Sequence, residues 1–450
     1  MNKGPLRIHV LLSVAALLST LPVGLKALEP GEQEYVKRGE PQRAGNYWEE
    51  RATCDAPARE GGKLIVRAGL GSISVKPGAS GRVGCQIRLR AYTKNEAEAR
   101  RYFANYDLSL RPHEAGLYLR GDFREEQHGA RSFGADFNLT VPLKYSLDLE
   151  TKGGGIEVGD LEGELKATTA GGDIRAGNLR GPVRVETAGG SIRLGNIASP
   201  VEARTAGGSI RVGEVRGPAA LETSGGEIVA GMVNGALQAQ TAGGDLVLRG
   251  ASGTIEAQTA GGQISIGESG GNIVAQTAGG SIRLQGARCE VEVKTAGGSI
   301  DLLQVRKAVH AATAAGSILA QVDADLKTFA ASELKTSGGD IQVFLPANLP
   351  ITIDAAIDMA AGHKIMSDFP LNIQGDRVTL FDGQIFGAGK LRGEGKLNGG
   401  GEVLRVRTMA GNIEIRKLDP QTLEQLRSRQ QSFWKRWQER EEGRGAKSPE

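Results

Sequence analysis

The chain has 450 residues, enough for two or three domains, and carries 55 basic against 52 acidic residues, a formal net charge of +3. That balance excludes nucleic acid as the main partner, because phosphate binding needs a basic excess. Glycine supplies 66 residues and proline only 16, with no collagen-like every-third spacing, so the glycine excess must fall in turns or repeats.

The N-terminus reads MNKGPLRIHVLLSVAALLSTLPVGLKALEP. Lys3 and Arg7 precede an apolar run from Ile8 to Leu21, and Ala27 suits the end of a cleavage site. Residues 1–27 therefore read as a secretory signal, too short for a comfortable membrane span, with an uncleaved anchor as the alternative. No cysteine follows the run, which argues against a lipoprotein. Export leaves the periplasm, the cell surface and the medium as destinations. In an oxidising compartment Cys54 and Cys85 are a candidate disulfide, with Cys289 left over. There is no CxxC, and His9, His113, His128, His310 and His363 are scattered, so neither a metal site nor a cofactor is expected.

Residues 28–61 are polar and irregular and read as a linker. From 62 to 150 the pattern alternates as in strands (KLIVRAGLGSISVKP, RVGCQIRLRAYT, ADFNLTVPLKYSLDL), interrupted by one expected helix in KNEAEARRYFANY, 94–106. This stretch reads as a β cap. All seven tyrosines precede the repeats.

From Thr151 to Thr313 a phrase restarts every 18 residues, as in TAGGSIRLGNIASPVEAR at 187–204. It returns as TSGGDI at Thr336 after a five-residue insertion, and as TMAGNI at Thr408. A fixed period overrides any single-motif reading. Counting Thr as position one, positions six, eight, fifteen and seventeen are apolar or small, as in Ile192, Leu194, Val201 and Ala203, with polar residues between them. That is strand periodicity with glycine corners, where positive φ is expected. Residues 151–345 are thus expected to form an all-β, single-chain parallel β-solenoid of 18-residue coils about 4.8 Å apart, with the threonines as a hydroxyl ladder at one corner.

The other readings of the glycines fail on spacing. GAGKLRGEGKLNGGG (387–401) has Gly-Lys twice, but Leu follows each Lys, so it is no phosphate loop. Position five is Asp173, Ser191, Ser209, Glu227, Asp245, Gln263, which is a polar turn column rather than a calcium column. Glu227 and Asp245 would stack about 5 Å apart, a separation that suits a retaining glycosidase, although no aromatic wall accompanies them. Arg175, Arg193 and Arg211 share position seven on three successive coils. They form either a ladder for an anionic polymer or a solvated face.

Residues 346–418 read as a closing β region and 419–450 as a charged amphipathic helix and tail. Asp419 and Pro420 open that helix, and Leu423, Leu426, Phe433 and Trp437 recur at near-heptad spacing with Trp434 beside them. The helix is expected to dock on the rod or to contact a protein or a membrane surface.

TVPLKYSLDLETKGGGIEVGDLEGELKATTAGGDI (140–174), HKIMSDFPLNI (363–373) and TMAGNIEI (408–415) together resemble the adhesin-type family of bacterial β-strand-repeat proteins, whose function is largely unknown. His363 and Lys364 interrupt the small-residue run usual there. The resemblance covers roughly 62–416. It implies an envelope-associated or exported β-solenoid with an adhesive or scaffolding role, and it brings no catalytic residues. The leading expectation is a non-enzymatic exported rod that meets a cell-surface or envelope component. The alternatives are an envelope-stress or regulatory module docking a membrane partner through its C-terminal helix, and a polysaccharide-acting enzyme using Glu227 and Asp245.

Overall fold

The computed structural model describes residues 35–428 apart from 80, 125–131, 324–328, 376–378, 382–383 and 387–388, together with 432, 434 and 435. The expected signal, 1–27, lies outside the described residues. Each coil of the repeat gives one strand to each of two long parallel ladders. In one, Ile156–Val158 pairs with Ile174–Ala176, then Ile192–Leu194, and so on to Ile318–Val322. In the other, Ser146–Thr151 pairs with Leu165–Thr169, then Val183–Thr187, and so on to Val309–Thr313. The molecule is a β-solenoid, and the 18-residue period sets its register: Ile174 faces Ile192, which faces Ile210.

The alternation follows from burial. Ile192, Ile210, Val185 and Ala203 are buried in one continuous core, while the intervening polar residues stay outside. A single coil could not hide these side chains, but stacked coils hide them for each other. A further inward column, at position eleven, adds to the four expected. Leu161, Leu179, Ile197, Val215 and Val233 are joined by single parallel bridges and buried. From Ile228 onward the strand lengthens to six residues, Ile228–Val233, and absorbs this column.

The corner differs from expectation in two ways. The threonine hydroxyls do not bond to one another. Each donates to the position-four glycine carbonyl of the coil before, as Thr205 does to Gly190 at 2.8 Å, and accepts the N–H of its own position-four glycine, as from Gly208 at 3.2 Å. Nor does the glycine pair serve positive φ. The described glycines with positive φ include Gly71 and Gly250 but none of those at positions three and four from 153 to 316. Position four is glycine because coils approach closely there. A Cβ on Gly208 would lie 2.0 Å from the Gly190 oxygen, whereas one on Gly207 would find its nearest neighbour at 3.5 Å.

Both ends depart from simple chain order. Lys63–Ala68 pairs in parallel with Ser146–Thr151, and Ser72–Pro77 with Ile156–Val158, so residues 63–77 are a true coil of the rod. Beyond them lie Gly116–Phe123 and Phe133–Val141, again parallel. Antiparallel strands then finish the end: Tyr106–His113 on one ladder, Arg82–Ala91 and Tyr47–Pro57 on the other. The expected linker, 28–61, is therefore corrected from residue 35 on. Tyr47–Pro57 is an eleven-residue strand with Ala52, Cys54 and Ala56 buried. Arg51 and Asp55 face outward, but Glu50 takes an inward place in the alternation and is buried, bonded to Arg38, which is why the strand reads as irregular. The helix expected in 94–106 is present as Glu96–Asn105, capped by Asn95 and burying Ala99 and Phe103.

At the other end Val403–Ala410 and Ile413–Lys417 stack directly on Ser332–Gly338 and Ile341–Leu345. The earlier segments Ile351–Ile357 and Ile365–Ser367 lie outside them. The last coil in sequence is thus inserted beneath its predecessor, and antiparallel Leu391–Leu397 and Asn372–Gly375 finish the sheet. Antiparallel closing strands break the parallel register that another solenoid end would need in order to pair.

Candidate functional site

The candidate residues lie on the outside of the rod. Arg175, Arg193 and Arg211 are in register on successive strands, as their shared position requires. Neighbouring acids meet the two outer members. Arg175 pairs with Asp173 at 2.8 Å, and Arg211 with Glu227 at 2.8 Å. Arg193 between them is exposed. At position seven the next coils carry Val229, Val247 and Ser265, all buried although they alternate with the core residues.

The candidate carboxylates are both engaged. Glu227 holds Arg211. Asp245 accepts the Gln263 N–H of the next coil at 2.7 Å, the same role that Asp173 plays for the Ser191 N–H. Position five is thus a column of caps for the coil above. Position ten repeats the device, with Asn178 accepting from the Asn196 N–H at 3.0 Å and Asn196 from the Glu214 N–H at 2.9 Å.

The second ladder presents a more regular outer face. Arg184 pairs with Glu202 at 3.2 Å, Arg204 bridges Glu202 and Glu222, and the column of Arg204 and Glu222 continues as Gln240, Gln258 and Gln276 in register. Burial works against the Arg204 charge, but its bonds to Glu222 and Glu202 outweigh this and hold the guanidinium above its ordinary range. Beside this face runs a groove of about 510 Å3 whose floor includes Pro182, Pro200 and Pro218. The spacing of these prolines in the sequence could have revealed the groove.

The C-terminal helix, described over 420–428 and at 432, 434 and 435, packs on the rod through Leu426. Asp419 caps it. Its carboxylate accepts from the Thr422 hydroxyl and from the backbone N–H groups of Gln421 and Thr422, and these bonds, the Thr422 hydroxyl first, hold it below the usual carboxylate range. Leu426 is buried against Leu303 and Phe344, with Leu319 and Leu418 packed around them. Leu423 is half-buried. Leu426 is therefore not part of an open partner-binding face, because the rod itself occupies it. Trp434 and Lys435 line a cleft of about 850 Å3 with Met232, Arg249 and Glu268. Phe433 and Trp437 lie outside the described residues. Among the described residues no helix is long and apolar enough to cross a membrane.

Cys54 and Cys85 face each other on adjacent antiparallel strands, 4.8 Å apart at Cα, and are bonded. Cys289 is a free, half-buried thiol at position thirteen of its coil.

No family model and no curated protein matches the chain. Among solved structures, it is similar to a putative adhesin from Bacteroides fragilis, at 18% identity and a TM-score of 0.27, over 54% of this chain and 96% of that one. It is also similar to a putative cell adhesion protein from Clostridium sporogenes, at 8% identity and a TM-score of 0.16, over 84% and 100% of the two chains. A third is a putative lipid binding protein from Parabacteroides distasonis, at 12% identity and a TM-score of 0.20, over 65% and 96%. At these identities and TM-scores none of the three carries an argument about function.

Proposed function

We propose that the protein is an exported, non-enzymatic rod that presents a repeating face to a cell-surface or envelope component, as an adhesin or a scaffold. The observation that carries this reading is the in-register columns outside the core, above all Arg204 and Glu222, which pass into Gln240, Gln258 and Gln276, with Arg184 and Glu202 in the column beside them. A rigid stack offers such groups at a fixed interval of about 4.8 Å, so a repeating ligand meets many weak contacts in phase. Export is supported by the N-terminal signal pattern and by the Cys54–Cys85 bond. A polysaccharide-acting role is the weaker reading, since Glu227 is bound to Arg211 and Asp245 caps a backbone N–H.

Protease treatment of intact cells, with fractionation alongside, tests this reading. Cleavage of the rod from outside, together with reduced attachment of a deletion strain, supports an adhesin. Protection until the envelope is breached leaves a periplasmic scaffold. Retention in the cytoplasm overturns both.

A further inference from the structure

We propose that the proline groove beside the second ladder is the contact between two copies of this chain, which lie antiparallel about a two-fold axis between Pro200 and Pro218. This rests on the reading of that face as the one that meets a repeating partner, and it names the partner. The groove runs over six coils, from Glu164 to Glu256. Pro182, Pro200 and Pro218 stand exposed along it, and Ala220 and Ala236 continue its apolar lining. An occupant must keep step with coils about 4.8 Å apart. An extended peptide presents alternate side chains about 6.6 Å apart and falls out of phase. A polyproline helix turns once in about 9 Å, near the height of two coils, but it docks among aromatic rings, and none of the described residues lining this groove is aromatic. A second copy of the rod has the same step by construction.

Charge and size set the direction. Along the rod the outer column reads Lys166, Arg184, Glu202, Ala220, Gln238 and Glu256. It begins cationic and ends anionic, so a parallel copy at the same height sets like against like. An antiparallel copy, turned about the middle of the groove, sets Lys166 against Glu256 of the other copy. In the next outer column it sets Arg204 against Glu222 of the other copy. Glu202 then lies over Ala220, and Pro182 over Ala236, each larger side chain over a smaller one. No charged residue of these columns faces one of its own sign. Six coils span about 24 Å and a five-residue strand about 17 Å. Each copy therefore covers about 400 Å2, half the usual ~800 Å2 per partner. The dimer is a weak one, strengthened where many rods stand side by side.

Sedimentation of the purified full-length chain over a hundredfold range of concentration tests this. Dimer is expected to replace monomer as the concentration rises, and a monomer throughout overturns the proposal. Glu256→Lys changes an exposed residue and sets a lysine against Lys166 of the other copy, so it is expected to weaken the dimer severalfold. Adding Lys166→Glu reverses both charges and is expected to restore it. An unchanged affinity in the single variant, or no recovery in the double one, overturns the antiparallel contact. Attachment of a deletion strain reads the adhesive function separately. A chain that is needed for attachment yet stays monomeric sinks the second copy alone.

Discussion

The Thr187 hydroxyl donates to the Gly172 carbonyl of the preceding coil at 2.8 Å, and in turn accepts the Gly190 N–H at 3.2 Å. One buried side chain thus joins two coils through their backbones, and the same relay recurs at each threonine from Thr169 to Thr313.

Thr187→Val keeps the shape but leaves a buried carbonyl and N–H unsatisfied. The expected loss is about 1–3 kcal/mol, read as a lower urea midpoint. Thr187→Ser retains the hydroxyl and is expected to lose less. Equal losses from the two would show that the hydroxyl does not matter.

The two glycines of the pair are expected to separate cleanly. Gly190→Ala places a Cβ 2.0 Å from the Gly172 oxygen and forces the coils apart, at a cost of about 1–3 kcal/mol or more. Gly189→Ala meets its nearest atom at 3.5 Å and should stay within about 0.5 kcal/mol of the parent. The chain already carries Ala315 and Ala410 at that position. Thermal unfolding of the two variants side by side measures the contrast.

Reduction of Cys54–Cys85 opens a loop with a sequence separation of 31. The expected cost is about 2–4 kcal/mol, confined to the N-terminal cap. Hydrogen exchange with and without reductant should show faster exchange in 47–57 and 82–91, and little change in the central coils.

Leu426→Ala empties the contact with Leu303 and Phe344. Loss of a buried leucine side chain costs about 2–5 kcal/mol, enough to detach a single helix while the rod stays folded. Tryptic cleavage after Arg427 should rise, with the rod's strand signal in circular dichroism unchanged.

The cap at Asp419 sets the acid response of the helix. Its carboxyl is held below the ordinary value of 3.8 in the folded chain, chiefly by the Thr422 hydroxyl. The stabilisation is therefore present above that value and is lost as the pH falls through the lowered one. Hydrogen exchange over 420–428, corrected for intrinsic rates, should show constant protection from neutrality to about pH 5, with loss only in stronger acid. Asp419→Ala should lose protection across the whole range.

The repeat was open to reading because burial in a stacked coil imposes one residue type at one place, coil after coil. Positions six, eight, fifteen and seventeen could be found that way, as could the glycines. The column at position eleven escaped because its members shrink from Leu161 to Ala251 and Ser269 as the strand beneath them lengthens. The Tyr47–Pro57 strand escaped because a charged residue, Glu50, stands at one of its inward places and interrupts the apolar alternation. Of the candidate site, the arginine ladder follows from the period alone, while its pairing with Asp173 and Glu227 does not.

The sequence by itself determined the coil, its length and the inward columns at positions six, eight, fifteen and seventeen, because these are local demands repeated in phase. Only the tertiary structure decided the close approach of coils at position four, the order of the end coils, the face on which the helix lies and the engagement of Glu227 and Asp245. Those depend on contacts between residues far apart in the chain, such as Thr336 beside Thr408 and Leu426 against Leu303, and no periodicity encodes which distant partners will meet.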